Sequence, residues 1–320
     1  MKLLSILGSN ESERAASLLQ HGGLVALPTE TVYGLGAAIN QPAAIARIFK
    51  VKGRPVDHPL IVHVSDWEMA KPLIAGPLAE YVPALVRAFT PGPITFIVPK
   101  SDVVSEAITG GQDSVGIRIP RHPLTQSIIR ALGCAVAAPS ANLFGEVSPT
   151  SAIHVFNDLK DTLDSETDAI VDGGDCEIGL ESTIVDCRFD IPRILRPGAI
   201  TKEMISAVVA SVQTDVNSQL RVSGALEKHY SPRAHVRIID DIAEFPSDSS
   251  LAGFIALERY QTPPQAIRLA MPRNESEFAQ ILYEALRKAD DLNLDEVVII
   301  APEDTGLGVA IRDRISRAAD

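Results

Sequence analysis

The chain has 320 residues and a formal net charge of −12, with 46% hydrophobic and 22% charged residues. This composition is that of an ordinary globular protein and excludes a largely disordered chain. Its acidity, with a sequence pI near 5.1, excludes a broad nucleic-acid-binding surface, which requires a basic face. Any site for an anion must therefore be local.

Neither a leader peptide nor a membrane span is expected. The apolar stretch within MKLLSILGSNESERAAS is too short for a signal peptide. No segment approaches the about 18 unbroken apolar residues of a membrane-spanning helix. Cys134, Cys176 and Cys187 are odd in number and lack CxxC spacing, which argues against a disulfide framework and a zinc site. These features predict a cytoplasmic location.

The first two-thirds of the chain alternates strand-like and helical patterns, which predicts an α/β fold. SNESERAASLLQHGG predicts an amphipathic helix ended by Gly22 and Gly23, and LVALPTETVYGLG predicts a strand and a turn. PAAIARIFKVKG predicts a helix, with Pro42 near its start and Gly53 near its end. Short strands are predicted at PLIVHV, ITFIVP, SVGIRIP, CAVAAPSAN, AIVDGG and STIVD. Ligand-binding loops of α/β proteins tend to follow such strands.

The pattern changes around residues 206–232. ISAVVASVQTDVN is predicted to be the last helix of the first unit, and SGALEKHYSPRA a linker. Four more strand-like runs follow, with a helix over ESEFAQILYEALRKADDL; the runs are HVRIID, LAGFIAL, QAIRLA and EVVIIAP. We therefore predict a larger α/β domain over residues 1–208, a linker over 209–234 and a smaller α/β domain over 235–320.

The common catalytic and nucleotide-binding motifs are missing. The sequence has no GxxxxGK[ST] phosphate loop, no HExxH and no GxSxG. GLGAAI at residues 34–39 lacks the last glycine of a dinucleotide fingerprint, and His58 and His63 lack metal-ligand spacing on a helix. The candidate residues are instead spread over several loops.

Positive charge gathers at one point of this acidic chain, at Arg47, Lys50, Lys52 and Arg54. Lys52 and Arg54 flank a glycine, so both side chains can face one anion. Lysine supplies a compact charge, and arginine supplies a planar fork suited to phosphate or carboxylate. The alternative is a solvated helix end, where cations are favoured by the helix dipole.

Polar residues also follow several strands. Thr29 and Thr31 surround Glu30, and a second set in APSANLFGEVSPT comprises Ser140, Asn142, Ser148 and Thr150. Such hydroxyls and amides bind phosphate or ribose, although they are also common in ordinary turns. Arg118 lies in an apolar strand, where a buried arginine must meet a protein acid or a ligand carboxylate. GLESTIVD and LRPGAI add Glu181, Ser182, Thr183 and Arg196.

Seven stretches occur in a fixed order: PTETVYGLG, KGRPVDHPLIVHV, PGPITFIV, VGIRIPRHP, APSANLFGEVSPT, GLESTIVD and LRPGAI. This ordered set, over roughly residues 10–205, resembles the YrdC/Sua5 family of threonylcarbamoyl-AMP synthases. HYSPR and GLGVAIRDRISRAA beyond it resemble the long Sua5 form, whereas the short YrdC form ends after the first domain. The resemblance implies a YrdC-like twisted mixed sheet with helices and a basic cleft, plus a smaller Rossmann-like α/β C-terminal domain.

The resemblance implies a nucleotidyltransferase that converts L-threonine, bicarbonate and ATP into threonylcarbamoyl-AMP and pyrophosphate. A separate tRNA threonylcarbamoyl transferase complex would then modify adenosine 37 of ANN-decoding tRNAs. Mg²⁺ is expected with ATP, because the reacting phosphates need charge neutralisation. One alternative is an RNA-binding module of the same fold, with a weak RNA contact. Another is a carbamoyl-adenylate module of the hydrogenase-maturation type, whose zinc fingers the three unpaired cysteines exclude.

The resemblance also implies roles for residues at matching motif positions. The catalytic tetrad around the nucleotide would be Lys52, Arg54, Ser140 and Asn142. Further ATP-binding positions would be His58, Ser114, Ser148, Arg196 and Tyr230. The L-threonine pocket would comprise Thr31, His63, Arg118, Ala138 through its backbone, and Ser182. Arg118 is expected to bind the threonine carboxylate, His58 replaces the common asparagine of the family, and the linker is expected to close over the cleft as a lid.

Overall fold

The computed structural model describes residues 4–215, 220–224, 230–246 and 251–319. Within these residues, the strands form one sheet of eleven strands and a second sheet of four. The predicted domain boundaries stay predictions, because residues 216–219 and 225–229 of the predicted linker lie outside the described residues.

The larger sheet contains parallel and antiparallel pairs in the order β1-β8-β2-β3-β7-β4-β6-β5-β9-β10-β11. Its strands are β1 Ser5–Leu7, β2 Val25–Leu27, β3 Gly34–Ala38, β4 Ile61–His63, β5 Ile94–Pro99, β6 Ser114–Arg118, β7 Val136–Ala137, β8 Ala169–Val171, β9 Thr183–Asp186, β10 Arg193–Arg196 and β11 Gln213–Thr214. All the strands predicted for this part of the chain are found, but residues 34–36, predicted to lie in a turn, instead begin β3, where they pair with β2. The prediction of a mixed α/β sheet is confirmed.

Helices pack around this sheet. They are α1 Ser12–Gln20, α2 Pro42–Lys52, α3 Trp67–Ala70, α4 Val82–Phe89, α5 Glu106–Thr109, α6 Pro123–Leu132, α7 Ala152–Leu159 and α8 Lys202–Ser206, with a 3-10 helix at Lys71–Leu73. Helix α2 begins at Pro42, where the missing N–H has no helical partner to lose, and ends at Gly53 in a left-handed conformation (φ 63°). The predicted helix is confirmed, and its end carries Lys52 and then Arg54 to one place.

The helix predicted over ISAVVASVQTDVN is wrong. Helix α8 ends at Ser206, and Gln213–Thr214 instead form β11, which pairs in parallel with Arg193 and Ile194. Valine is frequent in this run, which also contains Thr214, and β-branched side chains favour a strand beside the open edge of β10. The last two residues of the predicted helix, 216 and 217, lie outside the described residues.

The centre of the larger sheet positions the residues of interest. Phe96, Ile117 and Val185 on neighbouring strands are fully buried in one apolar core. Strands β4 and β6 run parallel, with His63 paired directly to Arg118 at their carboxyl ends. Strand register therefore brings together residues from separate motifs at one edge of the sheet.

The smaller sheet is all parallel, in the order β12-β15-β13-β14. Its strands are β12 His235–Ile239, β13 Ala252–Ile255, β14 Ala266–Ala270 and β15 Glu296–Ile300. Helices α9 Glu275–Asp291 and α10 Leu307–Ala319 and a 3-10 helix at Ile242–Glu244 accompany it. The Asn274 side chain accepts a hydrogen bond from the Glu277 amide and so caps α9. The four predicted strands and the long helix are confirmed.

The two sheets share an apolar interface. Val32, Val147 and Leu180 of the larger part pack in the same buried cluster as Phe278 and Leu282 of α9. Gly179 (φ 77°) approaches α9 so closely that a Cβ atom there would lie 2.6 Å from the Ala279 carbonyl oxygen. Only glycine fits this contact, because both the backbone conformation and the space exclude a side chain.

Ile117 tests the burial of the central strands. Ile117→Ala is expected to lower the free energy of unfolding by about 2–5 kcal/mol, because it removes buried methyl groups and leaves a cavity. Ile153, in the first turn of α7, is 56% exposed and provides the control. Ile153→Ala is expected to change the free energy of unfolding by less than about 0.5 kcal/mol. Urea unfolding followed by circular dichroism measures both, and equal losses would contradict this core.

Candidate active site

A cleft lies at the carboxyl ends of β4 and β6, and strands and loops from separate parts of the chain line it. Its lining residues are Thr29, Thr31, Val32, Gly34, Arg54, Ile61, His63, Arg118, Ala138, Pro139, Ser140, Glu181, Ser182, Arg196, Ser223, Gly224 and Tyr230. Nine of the fourteen residues predicted from the sequence are among them: Thr31, Arg54, His63, Arg118, Ala138, Ser140, Ser182, Arg196 and Tyr230. The fold thus brings the whole predicted amino-acid set and four of the nine predicted nucleotide-binding residues into one cleft.

Two of the polar loops form one continuous wall. The Leu35 amide donates to the Pro139 carbonyl oxygen at 2.8 Å, and the Ala141 amide donates to the Tyr33 carbonyl oxygen at 2.8 Å. Gly34 lies between them, bridged to Ser140, and a Cβ atom there would approach that of Ala138 to 3.2 Å. Backbone pairing therefore fixes the two loops relative to each other.

Lys52 and Arg54 are buried but are held by carbonyl oxygens. The Lys52 Nζ donates to the carbonyl oxygens of Ser140, at 2.7 Å, and Asn142. An Arg54 Nη donates to the Pro59 carbonyl oxygen at 3.0 Å. Burial, and then the nearby Arg54 charge, lowers the pKa of Lys52; burial lowers the pKa of Arg54 to about 10, so that Arg54 stays charged at neutral pH. Lys52 supports the Ser140 loop from behind, whereas Arg54 faces the cleft.

Arg196 is a third buried cation at the cleft, after Lys52 and Arg54. Its Nε and one Nη donate to the Ser182 carbonyl oxygen at 3.1 and 2.8 Å, and the other Nη donates to the Ser223 carbonyl oxygen. Carbonyl oxygens satisfy the donors without cancelling the charge. This side of the cleft consequently carries positive charge for an anion.

Arg118 has a protein partner, Glu30. Their side chains form a buried ion pair at 2.8 Å, and Arg118 also donates to the Thr29 hydroxyl at 3.4 Å. The sequence left open whether a protein acid or a ligand carboxylate pairs with the buried charge of Arg118. The structure shows that a protein acid, Glu30, does so. The Arg118 Nε has no hydrogen-bond partner among the described residues, so part of the guanidinium is available to a ligand.

His63, beside Arg118, is buried and neutral. Burial, and then the charge of Arg118, lowers the pKa of its ring to about 3. Within the described residues neither ring nitrogen has a hydrogen-bond partner. A buried imidazole without partners is costly, which indicates that it serves a bound polar group.

Five predicted residues lie behind or beside the lining. Asn142 donates to the carbonyl oxygens of Leu143 and Glu146, and its Oδ1 has no partner in the described structure. Ser148 donates to Glu181 at 2.7 Å. Lys52 has been described above. The His58 ring meets the Phe144 ring edge-on, with centroids 5.4 Å apart. Ser114 lines an adjoining pocket together with residues 220–223. Their roles in binding stay predictions.

The sequence did not reveal the partners of Glu181. This buried carboxylate accepts hydrogen bonds from Ser148, from the Tyr283 hydroxyl at 2.9 Å and from the Arg314 Nε at 2.7 Å. Burial acts to raise its pKa, but the charges of Arg314 and Arg196 outweigh burial and lower the pKa to about 2. Tyr283 and Arg314 come from α9 and α10, so the smaller domain reaches the edge of the cleft.

A second cavity, of about 400 Å³, lies between α7 and α9. Carboxylates dominate its lining, at Glu146, Asp158, Glu284, Asp290 and Asp291. Such a lining disfavours an anionic ligand. Across the described chain, no group of three or more His, Cys, Asp or Glu is arranged to hold a metal ion, and no helix is both long and apolar enough to cross a bilayer.

Positive charge, neutral polar groups and loops at strand ends together define an α/β enzyme that binds a nucleotide-like anion with a small polar partner. The comparisons with known proteins agree. The family model described as "Telomere recombination" matches residues 17–198, and the one described as "Threonylcarbamoyl-AMP synthase, C-terminal domain" matches residues 200–320. The chain belongs to the YrdC/Sua5 family of threonylcarbamoyl-AMP synthases, in its long Sua5 form.

Individual relatives support this assignment. The Bacillus subtilis threonylcarbamoyl-AMP synthase is 39% identical over 98% of this chain and 94% of its own length. The crystal structure of Pyrococcus abyssi Sua5 complexed with L-threonine matches with a TM-score of 0.88 and 34% identity, over 99% of this chain and 97% of that one. E. coli YciO shares the fold of the larger domain, with a TM-score of 0.52 and 22% identity over 61% of this chain and 95% of its own.

The Glu181 carboxylate gives a prediction about pH. Its pKa of about 2, against an ordinary 4.5, corresponds to stabilisation on the order of 3 kcal/mol. Because the folded-state pKa is lowered, this contribution is present above the unfolded pKa and is lost as the pH falls towards the folded one. Glu181→Gln should therefore destabilise the protein at neutral pH, and the difference from wild type should shrink between about pH 5 and pH 2.

Denaturant unfolding at a series of pH values measures this difference. A difference that stays constant across that range would show that the charge of Glu181 does not stabilise the fold.

Proposed function

We propose that this protein is an L-threonylcarbamoyladenylate synthase, which converts L-threonine, bicarbonate and ATP into threonylcarbamoyl-AMP, pyrophosphate and water. One observation carries the proposal: a single cleft combines cations held by carbonyl oxygens with an arginine already neutralised by a carboxylate. Arg54 and Arg196 suit the phosphates of ATP. The Arg118–Glu30 pair suits an amino acid. The structure of the P. abyssi relative complexed with L-threonine supports L-threonine as that amino acid.

Charge balance in the proposed pocket suits an amino acid, and neutral polar groups would select its hydroxyl. Free L-threonine is a zwitterion, and a pocket containing one buried cation and one buried anion accepts it without a net charge penalty. The available side of the Arg118 guanidinium would bind its carboxylate. The hydroxyl would meet neutral polar groups, for which Thr31 and the unpartnered ring of His63 are the candidates. Ser182 and the Ala138 backbone complete the predicted pocket.

The reaction needs positioning and charge neutralisation. The carboxylate oxygen of N-carboxylated threonine would attack the α-phosphorus of ATP, forming a P–O bond while the bond to pyrophosphate breaks. Arg54 and Arg196 would stabilise the developing negative charge, and Lys52 would hold the Ser140 loop. Ser140 and Asn142, with Ser148, Ser114, His58 and Tyr230 around them, are proposed to contact ATP.

Mg²⁺ is proposed to enter as part of its complex with ATP. Glu181 in the cleft lining and Glu30 beside it are already paired with Arg314 and Arg118, which leaves them poor metal ligands. The ion would therefore be held mainly by phosphate oxygens and water, as Mg²⁺ commonly is.

The linker is proposed to be a lid that keeps water from the hydrolysable adenylate. Val222 is buried against Ile97 and Ile184 of the larger sheet. The Gln112 side chain exchanges hydrogen bonds of 2.9 and 3.0 Å with the Arg221 backbone. Tyr230 is buried and lines the cleft, while residues 225–229 lie outside the described structure.

The product would pass to a tRNA threonylcarbamoyl transferase complex for modification of adenosine 37 in ANN-decoding tRNAs. A cytoplasmic location is proposed, in keeping with three free cysteines. The RNA-binding alternative is not favoured, because the cations of the cleft are buried and serve a small anion better than a nucleic-acid backbone.

Pyrophosphate release tests the reaction. Incubation with ATP, Mg²⁺, bicarbonate and L-threonine should release pyrophosphate, and omission of either L-threonine or bicarbonate should abolish the release. L-Valine should be turned over about 10⁴-fold less well, because a site built to hydrogen-bond a hydroxyl rejects an analogue without it. Equal turnover with L-valine, or turnover without bicarbonate, would contradict the proposal.

Two substitutions test the division of the cleft. Arg54→Ala should weaken the binding of ATP, whereas Arg118→Ala should chiefly weaken the binding of L-threonine, each by about 2–5 kcal/mol. The second is combined with Glu30→Gln, so that no unpaired carboxylate remains.

Calorimetry with each ligand measures these losses. Arg14→Ala is the control, because Arg14 is exposed and lies outside the cleft lining. The same ligand profile for both variants would show that the division is wrong.

A further inference from the structure

Arg314 connects the smaller domain to the cleft. It projects from α10 and is completely buried. Its Nε donates to the Glu181 carboxylate at 2.7 Å, and one Nη donates to the Pro197 carbonyl oxygen at 2.9 Å. Both acceptors lie in loops of the larger domain beside Arg196. The guanidinium of this second-domain residue therefore lies next to the lining of the proposed nucleotide site.

Glu181 is the only carboxylate among the described residues that line the cleft, whereas Glu30 lies outside the lining as the partner of Arg118. It lies close enough to Arg196 for each charge to affect the pKa of the other. Left unpaired, this carboxylate would attract Arg196 and repel the phosphates of a nucleotide. Arg314 supplies the compensating charge from the opposite side.

The aromatic neighbours of Arg314 also face this site. The Tyr283 hydroxyl donates to Glu181, and the Tyr283 ring stacks on that of Tyr230 with centroids 5.6 Å apart. The Arg314 guanidinium lies over the Tyr230 ring, 5.6 Å from its centroid. Tyr230 itself lines the cleft. Arg314 therefore contacts two elements of the wall, the Glu181 loop and Tyr230.

We propose that Arg314 is a positioning residue of the nucleotide site. Its ion pair with Glu181 neutralises that carboxylate, so that Arg196 can interact with the phosphates of ATP. Its packing on Tyr230 fixes that ring in the cleft wall. The inference rests on the proposed function in taking ATP as the ligand. It assigns the smaller domain a part in nucleotide binding beyond its contacts with the larger domain.

A second ion pair between the domains provides a matched control. Arg287 of α9 forms two hydrogen bonds, of 2.8 and 2.7 Å, with Asp158 of α7. Like Arg314, it is a largely buried arginine of the smaller domain that pairs with a carboxylate of the larger one. Arg287 does not line the cleft. A purely structural role would make the two arginines equivalent.

The experiment compares Arg314→Met, Arg314→Met/Glu181→Gln and Arg287→Met in the full chain. Calorimetry measures the Kd of a non-hydrolysable ATP analogue with Mg²⁺ and, separately, of L-threonine, and thermal unfolding measures Tm. Arg314→Met should raise the Kd of the analogue about tenfold or more and that of L-threonine less than about threefold, because the uncompensated carboxylate faces the phosphate side. The double variant should recover most of the lost affinity, and Arg287→Met should lower Tm with the Kd of the analogue unchanged.

Equal effects of Arg314→Met and Arg287→Met on the Kd of the analogue, or a double variant no better than Arg314→Met, would overturn the inference. If Arg314→Met does not fold, Arg314→Gln replaces it, since glutamine keeps an amide donor but no charge; failure of both to fold would assign Arg314 to stability alone. A wild-type protein that does not bind the analogue would count against the proposed function, whereas wild-type binding with unaffected variants would count against this inference only.

Discussion

The cleft depends on burying several positively charged side chains close together without neutralising them with carboxylates. Burial of a cation is costly unless its donors are satisfied, and a carboxylate partner would satisfy them but remove the charge. Lys52, Arg54 and Arg196 avoid this conflict because carbonyl oxygens accept their hydrogen bonds. Those carbonyls belong to loops at the ends of strands, so the architecture of the sheet and the charge of the site are inseparable.

Two carboxylates lie at the cleft, Glu181 in its lining and Glu30 beside the lining residue Arg118, and each pairs with an arginine. Glu30 pairs with Arg118 on the proposed amino-acid side, and Glu181 pairs with Arg314 beside the proposed nucleotide side. The first pair creates a locally neutral pocket, suited to a zwitterion. The second pair, between Glu181 and Arg314, leaves Arg196 without a carboxylate that neutralises its charge. On the proposed function, this difference in pairing would let one small cleft distinguish a phosphate ligand from an amino acid.

The second domain supports two residues of the cleft lining, Glu181 and Tyr230, from outside the cleft. Helices α9 and α10 supply Tyr283 and Arg314, and Gly179 permits the close approach of α9 to the loop that carries Glu181. Residues 220–224 cross the larger sheet beside Arg196 and bring Ser223 into the lining. An enclosed site of this kind strengthens electrostatic interactions, because less water competes for the charges.

The sequence by itself determined the α/β class, the helix from Pro42 to its glycine end and the strands whose loops carry the site, because these depend on local periodicity and on proline and glycine geometry. The ordered motifs also indicated the family. Only the tertiary structure decided which charges meet: strand register pairs His63 with Arg118, and domain packing joins Glu181 to an arginine 133 positions away. The helix predicted over ISAVVASVQTDVN failed for a related reason, because the open edge of β10 offered Gln213–Thr214 a backbone partner that no local pattern encodes.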